Sequence, residues 1–310
     1  MPNIPIRPET ASNFATQFNP LFGALLALSF VFGGGVLATV VLFAVRYREG
    51  SKVERKRPSI ATPILEACLI GIPMVFGLAI FAWGAKLYTA ERTIPRNATE
   101  IFVVGKQWMW QMYHANGVRE LNQLTLPIGQ PVRLTMVSQD VIHAFYVPAF
   151  RIQYYVLPGR YTAQWFIPTK TGTFLLLCNQ YCGMDHSRMV GHITILTKAD
   201  YSSWLAKQNG TDLAPTQTLL ARGQNLFTEK QCASCHSSRD NAKAPSLIGV
   251  FGKVRHLRDG NHVTADADYL RNAITHPELC RLAGEPESMP SYAYLSPQDV
   301  WALIHYVESK

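Results

Sequence analysis

Two cysteines four residues apart, then a histidine and a methionine, fall in the stretch Cys178-Asn179-Gln180-Tyr181-Cys182-Gly183-Met184-Asp185-His186-Ser187-Arg188-Met189. Thiolates, an imidazole and a thioether are soft ligands that select copper or zinc over hard cations. A structural zinc site wants four Cys or His ligands and no methionine, so Met189 points to copper. A single copper with a weak methionine ligand needs one cysteine and two histidines, whereas two cysteines can bridge two coppers. A reduced cysteine pair buried in a β-core would not bring a histidine and a methionine in register. The preceding run, residues 172–177, reads as a strand, and Gly183 breaks the pattern, so the ligands sit on a strand-end loop. The second histidine must come from elsewhere. His143 is the best candidate, in Asp140-Val141-Ile142-His143, after the strand-like run 131–137.

A second constellation is Cys232-Ala233-Ser234-Cys235-His236. Cys-x-x-Cys-His is the attachment pattern of a covalent haem, with the histidine as an iron ligand. A zinc knuckle would need a second ligand pair, for which His276 and Cys280 would have to be drafted. The sixth iron ligand should follow later in the chain. Met289, before Pro290 on an extended segment, is preferred over His256, His262 and His276, and a thioether there gives a haem of raised potential. Cys280 is left as an odd cysteine.

With these pieces in hand, Asp-Val-x-His followed by Cys-x-x-x-Cys-Gly-x-x-His-x-x-Met resembles the dinuclear copper centre, CuA, of subunit II of haem-copper oxidases. The resemblance implies that Cys178 and Cys182 bridge the coppers. His143 and His186 would cap one each, Met189 would be a weak ligand to one, and the Gln180 backbone carbonyl to the other. It also raises Trp108, whose family counterpart lies over the copper site and receives electrons. Leu157-Pro158-Gly159-Arg160 is usual in the family. Two positions depart from it: Tyr155 replaces an acidic residue, and Gln180 replaces a glutamate that reaches an interface magnesium in many relatives. An amide is a poorer ligand for that hard ion, so the magnesium site is put in doubt.

The elements that must position these groups follow from the texture of the chain. The 310 residues suggest two or three domains. Hydrophobic residues make up 48% and charged residues 16%, a balance tinged by membrane segments. The net charge of +8 is partly local, in Arg46, Arg48, Lys52, Arg55, Lys56 and Arg57 between two apolar stretches. That placement marks the cytoplasmic side of a membrane rather than a nucleic-acid surface. Residues 21–45 are apolar and uncharged, and 64–87 are uncharged between Glu66 and Lys86, each long enough to span. Pro73 should kink the second span. Both termini and everything after residue 90 then face outward. The first 20 residues show no removable signal peptide.

Glu66 sits near the cytoplasmic end of the second span. Intramembrane acids are functional candidates, and Leu65-Glu66 with Ile72-Pro73 resembles the second helix of oxidase subunit II, where the glutamate opens a proton path. The tryptophan usual three residues later is Leu69 here.

Strand-like runs at 100–104, 118–126, 131–137, 162–167, 172–177 and 192–196, separated by Gly/Pro corners, predict an all-β sandwich or barrel. The resemblance specifies a cupredoxin-like Greek key. The polar stretch 200–216 reads as a linker. Beyond it, helical spacing at 217–227, Ala244-Pro245-Ser246-Leu247, Tyr269-Leu270-Arg271, Met289-Pro290 and a closing helix at 296–308 resemble a class I cytochrome c domain, all-α.

The expected organisation is multidomain: 1–95 an N-terminal segment and two-helix transmembrane hairpin, 96–199 the cupredoxin-like CuA domain, 200–216 a linker, and 217–310 the cytochrome c domain. Nearly the whole chain resembles subunit II of a caa-type cytochrome c oxidase, whose cofactors are covalent haem c and dinuclear copper. The resemblance implies a catalytic subunit I and further membrane subunits as partners. It also implies an electron donor such as a cytochrome c or a quinol-oxidising complex, and contact with membrane lipid but not nucleic acid. The implied location is the bacterial inner membrane, with copper and haem domains on the periplasmic face. A copper-containing nitric oxide reductase could share this subunit plan, and a free membrane-anchored carrier is the rival from another class.

Overall fold

The computed structural model describes residues 8–53, 62–208, 218–236, 244–283 and 289–310. Arg55, Lys56 and Arg57 of the basic loop lie outside them. Helix α1 spans Asn13–Arg46 and α2 spans Thr62–Arg92, each with a mean hydropathy of 2.3 over its most apolar stretch. Phe30, Val31, Ile64, Ile70 and Phe81 are largely exposed, which is stable only against lipid or a partner helix. The second helix continues through Pro73.

The 34 residues of α1 measure about 51 Å at helical rise, well beyond a bilayer core. Its first turns are therefore free to enter the extramembrane part, and they do. Ser12 caps the helix by accepting from the Ala15 N–H, and donates to the Phe150 carbonyl at 2.7 Å. Asn13 Oδ1 accepts from the Ile167 N–H, and the Ala11 N–H donates to the Ala149 carbonyl. Phe14 packs edge-on against Trp165. The other end of the hairpin is held too: Glu91 accepts from Gln164 at 2.8 Å, and Arg92 donates to the Tyr154 hydroxyl. The start of α1 and the end of α2 thus meet the same β-domain, so the described basic residues Arg46, Arg48 and Lys52 fall at the far end of the hairpin.

That β-domain is a sandwich of ten strands: β1 Thr99–Lys106, β2 Met109–His114, β3 Arg119–Leu121, β4 Gln123–Pro127, β5 Val132–Ser138, β6 His143–Val147, β7 Ile152–Val156, β8 Thr162–Phe166, β9 Gly172–Cys178 and β10 Val190–Leu196. One sheet runs β3-β2-β1-β5-β8 and the other β4-β10-β9-β6-β7. Two parallel pairs, β1 with β5 and β10 with β4, sit within otherwise antiparallel ladders. Alternating side chains such as Ile101, Val103, Leu134, Met136, Leu176 and Ile193 are buried between the sheets. The strands β2, β6 and β7 were not among the runs expected from the sequence.

The polar stretch expected as a linker from residue 200 is helical to its midpoint, within α3 Lys198–Gln208. Thr197 and Asp200 exchange side-chain and backbone hydrogen bonds at its start, and Trp204 lies 5.6 Å from the buried His114 ring. Residues 209–216 of that stretch lie outside the described residues.

The C-terminal domain is helical: α4 Leu219–Glu229, α5 Ala267–Thr275 and α6 Pro297–Glu308, with a two-stranded hairpin, β11 Val254–His256 and β12 His262–Thr264. Its core is continuous with the outer face of the β1/β5 sheet. Phe102 stacks on Trp301 with ring centroids 5.1 Å apart, and Glu100 faces His305 Nε2 at 3.1 Å. Asp268 of α5 accepts from the Tyr161 N–H at 2.7 Å.

Candidate metal centre and haem cavity

The end of β9 and the loop after it carry most of the donor groups, and β6 brings the remaining one. β6 pairs with β9 so that Phe145 lies opposite Cys178, which sets His143 beside the loop. Cys178 Sγ lies 3.7 Å from Cys182 Sγ, 3.9 Å from His143 Nδ1 and 3.2 Å from the Gln180 carbonyl oxygen. Cys182 Sγ lies 3.5 Å from His186 Nδ1 and 3.9 Å from Met189 Sδ. All six groups expected from the sequence converge. His143 and Met189 are fully buried, and both cysteines nearly so.

Asp140 sets up this arrangement, and the sequence reading gave it no role. It holds His143 Nε2 at 2.8 Å while accepting from the N–H groups of Gln107 and Val141, each at 2.7 Å. Partial burial works against its charge, but these donors outweigh it and keep its pKa below the usual carboxylate value. An ionised Asp140 accepts the Nε2 proton, leaving the Nδ1 lone pair facing the sulfurs. The signal available was an acid three residues before the histidine. Asp140→Asn should weaken copper binding about 10–100-fold, the usual cost of losing an outer partner. Competition with a copper chelator measures it, and unchanged affinity would remove Asp140 from that role.

Burial disfavours a charge on Cys178, but contacts from His143, the Ala144 backbone and the neighbouring thiol prevail and lower its pKa. Burial and the adjacent Cys178 charge raise the pKa of Cys182. One proton leaves easily and the second is held, as expected when two thiols share a site.

Gly183 closes the loop with φ +119°, and a Cβ there would come within 2.9 Å of Gln107 Nε2 and 3.2 Å of the Trp108 ring. Trp108 therefore lies directly against the cysteine loop, half-buried. Gln107 Nε2 donates to the Cys182 carbonyl at 2.8 Å. Glu66 is exposed on the first turns of α2, remote in the fold from this cluster.

The C-terminal domain encloses a cavity of about 630 Å³ lined by Cys232, Cys235, His236 and Met289, with apolar walls from Leu247, Leu270 and Leu303 among others. His236 Nδ1 lies 2.9 Å from the Pro245 carbonyl. A carbonyl only accepts, so Nδ1 carries the proton and Nε2 is left as the ligand atom. Cys280 also lines the cavity. His256 and His262 pair across the exposed hairpin, with ring centroids 4.5 Å apart. His305 lies on α6 against Glu100, and His192 on β10. The donor sets fit the two groups expected from the sequence: soft sulfur and imidazole for copper, and paired thiols, imidazole and thioether around an apolar cavity for haem.

Comparison with known proteins follows the same division. Residues 116–196 match the family model for the cytochrome c oxidase subunit II periplasmic domain, and residues 220–310 match that for cytochrome c. The chain joins a subunit II periplasmic domain to a cytochrome c domain.

This combination fits a cytochrome-c-fused subunit II. Among its relatives is cytochrome c oxidase subunit 2 of Alkalihalophilus pseudofirmus, 27% identical over 250 residues, covering 80% of this chain and 70% of the relative. Alternative cytochrome c oxidase subunit 2 of Bradyrhizobium diazoefficiens is 32% identical over 161 residues, covering 42% of this chain and 58% of the relative. A crystal structure of the periplasmic domain of subunit II from Bradyrhizobium japonicum aligns with 28% identity and a TM-score of 0.36, covering 37% of this chain and 96% of that one. Subunit II homologues belong to an oxidoreductase complex, and two apolar helices ahead of a periplasmic-type domain fit a membrane-anchored protein with its domains outside.

Proposed function

We propose that this chain receives electrons for a respiratory terminal oxidase, with covalent haem c and a dinuclear copper pair supplying one-electron transfer and a separate catalytic subunit reducing oxygen to water. The observation that carries this reading is the convergence of two thiols, two imidazoles, a thioether and a backbone carbonyl at the end of β9. Cys178 and Cys182 would bridge the metals, His143 and His186 cap one each, and Met189 and the Gln180 carbonyl act as weak ligands. Cys232 and Cys235 would carry the haem, with His236 and Met289 as axial ligands. The ladders on either side of the loop hold these donors in place, which suits one-electron transfer with little rearrangement.

Trp108, against the cysteine loop, is positioned to admit electrons from a donor such as a cytochrome c or a quinol-oxidising complex. Glu66 is exposed on a membrane helix, where a carboxylate facing lipid is costly. A helix of the catalytic subunit covering it would remove that cost and give it a proton path to open. The membrane is read as a bacterial inner membrane, with both cofactor domains in the periplasm.

The test is purification from native membrane with metal and haem analysis. Two coppers and one covalent haem per chain are expected, together with a co-migrating haem-containing membrane subunit. One copper, or zinc, would overturn the dinuclear assignment. A chain that migrates alone would overturn the assignment to an oxidase and favour a free carrier.

A further inference from the structure

Helix α6 lies between the haem cavity and the β-sandwich and turns a different face to each. Leu303 and Val307 line the cavity. Trp301 stands two residues before Leu303, more than half a turn around the helix, and so faces the other way. Its ring stacks on Phe102 of β1, with centroids 5.1 Å apart and planes 5° from parallel. Tyr161 closes the side of this pair, edge-on to Trp301 at 4.8 Å and to Phe102 at 6.0 Å. Trp301 and Phe102 are both buried, so the crossing between the two domains is closed to solvent.

On the sandwich side, β1 runs from this crossing to the copper donors. Phe102 to Gly105 is a short piece of extended strand, about 10 Å long. At Gly105 the strand has no side chain, and a Cβ there would sit 3.1 Å from His143 Cδ2 and 3.3 Å from the Trp110 ring. Gly105 has an ordinary strand backbone without a positive φ, so the glycine serves the close approach of another group. That group is the imidazole of His143, whose Nδ1 faces Cys178 Sγ. The same strand end is tied to the loop that supports the histidine. The Gly105 carbonyl accepts from the Gln139 N–H at 2.9 Å, and the Gln107 N–H donates to Asp140. Trp108 lies apart from this crossing. It packs against the core between the sheets, whereas Phe102 belongs to the core shared with the C-terminal domain.

We propose that an electron passes from the haem cavity to the copper donors through Trp301, Phe102 and β1, and enters at His143. This rests on the reading of the two sites as those of haem and of dinuclear copper. The step moves one electron and no atom: ferrous iron becomes ferric, the copper pair gains the electron, and no bond or proton changes place. Electronic coupling falls far more steeply across gaps than along covalent bonds and packed rings. The stacked rings keep the one jump between domains short, and the strand behind Phe102 is covalent up to its contact with the imidazole. The interface also holds the separation constant, through Glu100 against His305 and Asp268 against the Tyr161 N–H. His143 is thus the inlet for the attached haem, separate from the Trp108 face.

The experiment uses the full-length chain in detergent, loaded with both cofactors. A flash-activated ruthenium complex reduces the haem, and its reoxidation by copper is followed optically. Trp301→Met, which fills the space without a ring, should slow that transfer several-fold. Trp301→Phe should keep most of the rate, and it removes an indole N–H that has no hydrogen-bond partner. Haem and copper potentials and the sedimentation coefficient should match the unsubstituted chain in both variants. That match excludes a changed driving force and an undocked domain. If Trp301→Met opens the interface, Phe102→Met takes its place, with the same expectation. Equal rates in docked Met and Phe variants would overturn the route, as would slowing on Trp108→Phe alone. Slowing found only in variants that undock would assign the interface to docking and overturn the route as well. Each of these results leaves both cofactor sites standing. An unsubstituted chain without covalent haem, or without two coppers, would instead overturn the reading on which the route rests.

Discussion

Gly223→Ala will prevent the C-terminal domain from holding together. Gly223 lies within α4, where glycine costs about 1 kcal/mol relative to alanine, so on helix propensity alone the substitution should help. Packing reverses the sign. A Cβ at this position would sit 2.0 Å from the Ala302 carbonyl oxygen and 2.9 Å from Tyr306 Cβ, both on α6. The first contact is backbone, which no rotamer change relieves. The crossing is further fixed by Arg222 Nε donating to Asp299 at 2.6 Å and by Phe227 against Tyr306. Forcing the helices apart should cost about 3 kcal/mol or more, a large share of a small domain's stability. The Cys232 turn follows α4 directly, so covalent haem per chain should fall with the helix crossing, while copper content stays unchanged. Thermal unfolding followed by haem absorbance, with haem and copper assays, checks both. A variant with full haem and unaltered unfolding would show that the two helices can separate without penalty.

Cys178→Ser should reduce copper from two per chain to at most one. The loss should exceed the roughly 10–100-fold expected for an outer partner such as Asp140, because in the proposed centre the Cys178 thiolate would serve both metals at once. Serine is close in size and Cys178 already contacts the Gln180 carbonyl, so the strand end should keep its place. Haem content should stay at one, since the haem cavity lies beyond the α5 and α6 layer on the far face of the other sheet. Copper analysis with the absorption spectrum of the oxidised protein reports the outcome. Two coppers retained with an unchanged spectrum would mean that the thiolates do not bridge.

The donor groups that converge at the end of β9 were legible because metal chemistry restricts residue type and spacing so severely. Cys178, Cys182, His186 and Met189 lie on one loop, and a loop's own spacing decides whether its side chains can converge. His143 could be found because it follows a strand-like run, although its distance to the cysteines is set by the β6–β9 pairing and not by local sequence. The role of Asp140 had no local trace, since an acid near a histidine becomes an orienting group only when its other oxygen is held, here by Gln107 from another loop. Strands β6 and β7 escaped because they are joined through the short Pro148–Phe150 turn, with no glycine between residues 143 and 156 to mark where one run ends and the next begins. The helical start of the expected linker was missed for another reason. Its composition is polar, and its order comes from the Thr197–Asp200 cap and from Trp204 against His114. The union of the two extramembrane domains had no local trace, because Phe102 and Trp301, or Glu100 and His305, are about two hundred residues apart in the chain.

The anchoring of α1 and α2 bears on how this molecule can meet its partners. A carrier on a slack tether searches a hemisphere of solvent, and its encounter rate depends on tether length. Here the first turn of one span and the last turn of the other are built into the base of the sandwich, through Ser12, Asn13, Phe14, Glu91 and Arg92. The Cys178–Met189 loop consequently has a fixed height above the bilayer and a fixed bearing around the membrane normal. A neighbour in the same membrane meets it by lateral diffusion in two dimensions, with the correct face already turned outward.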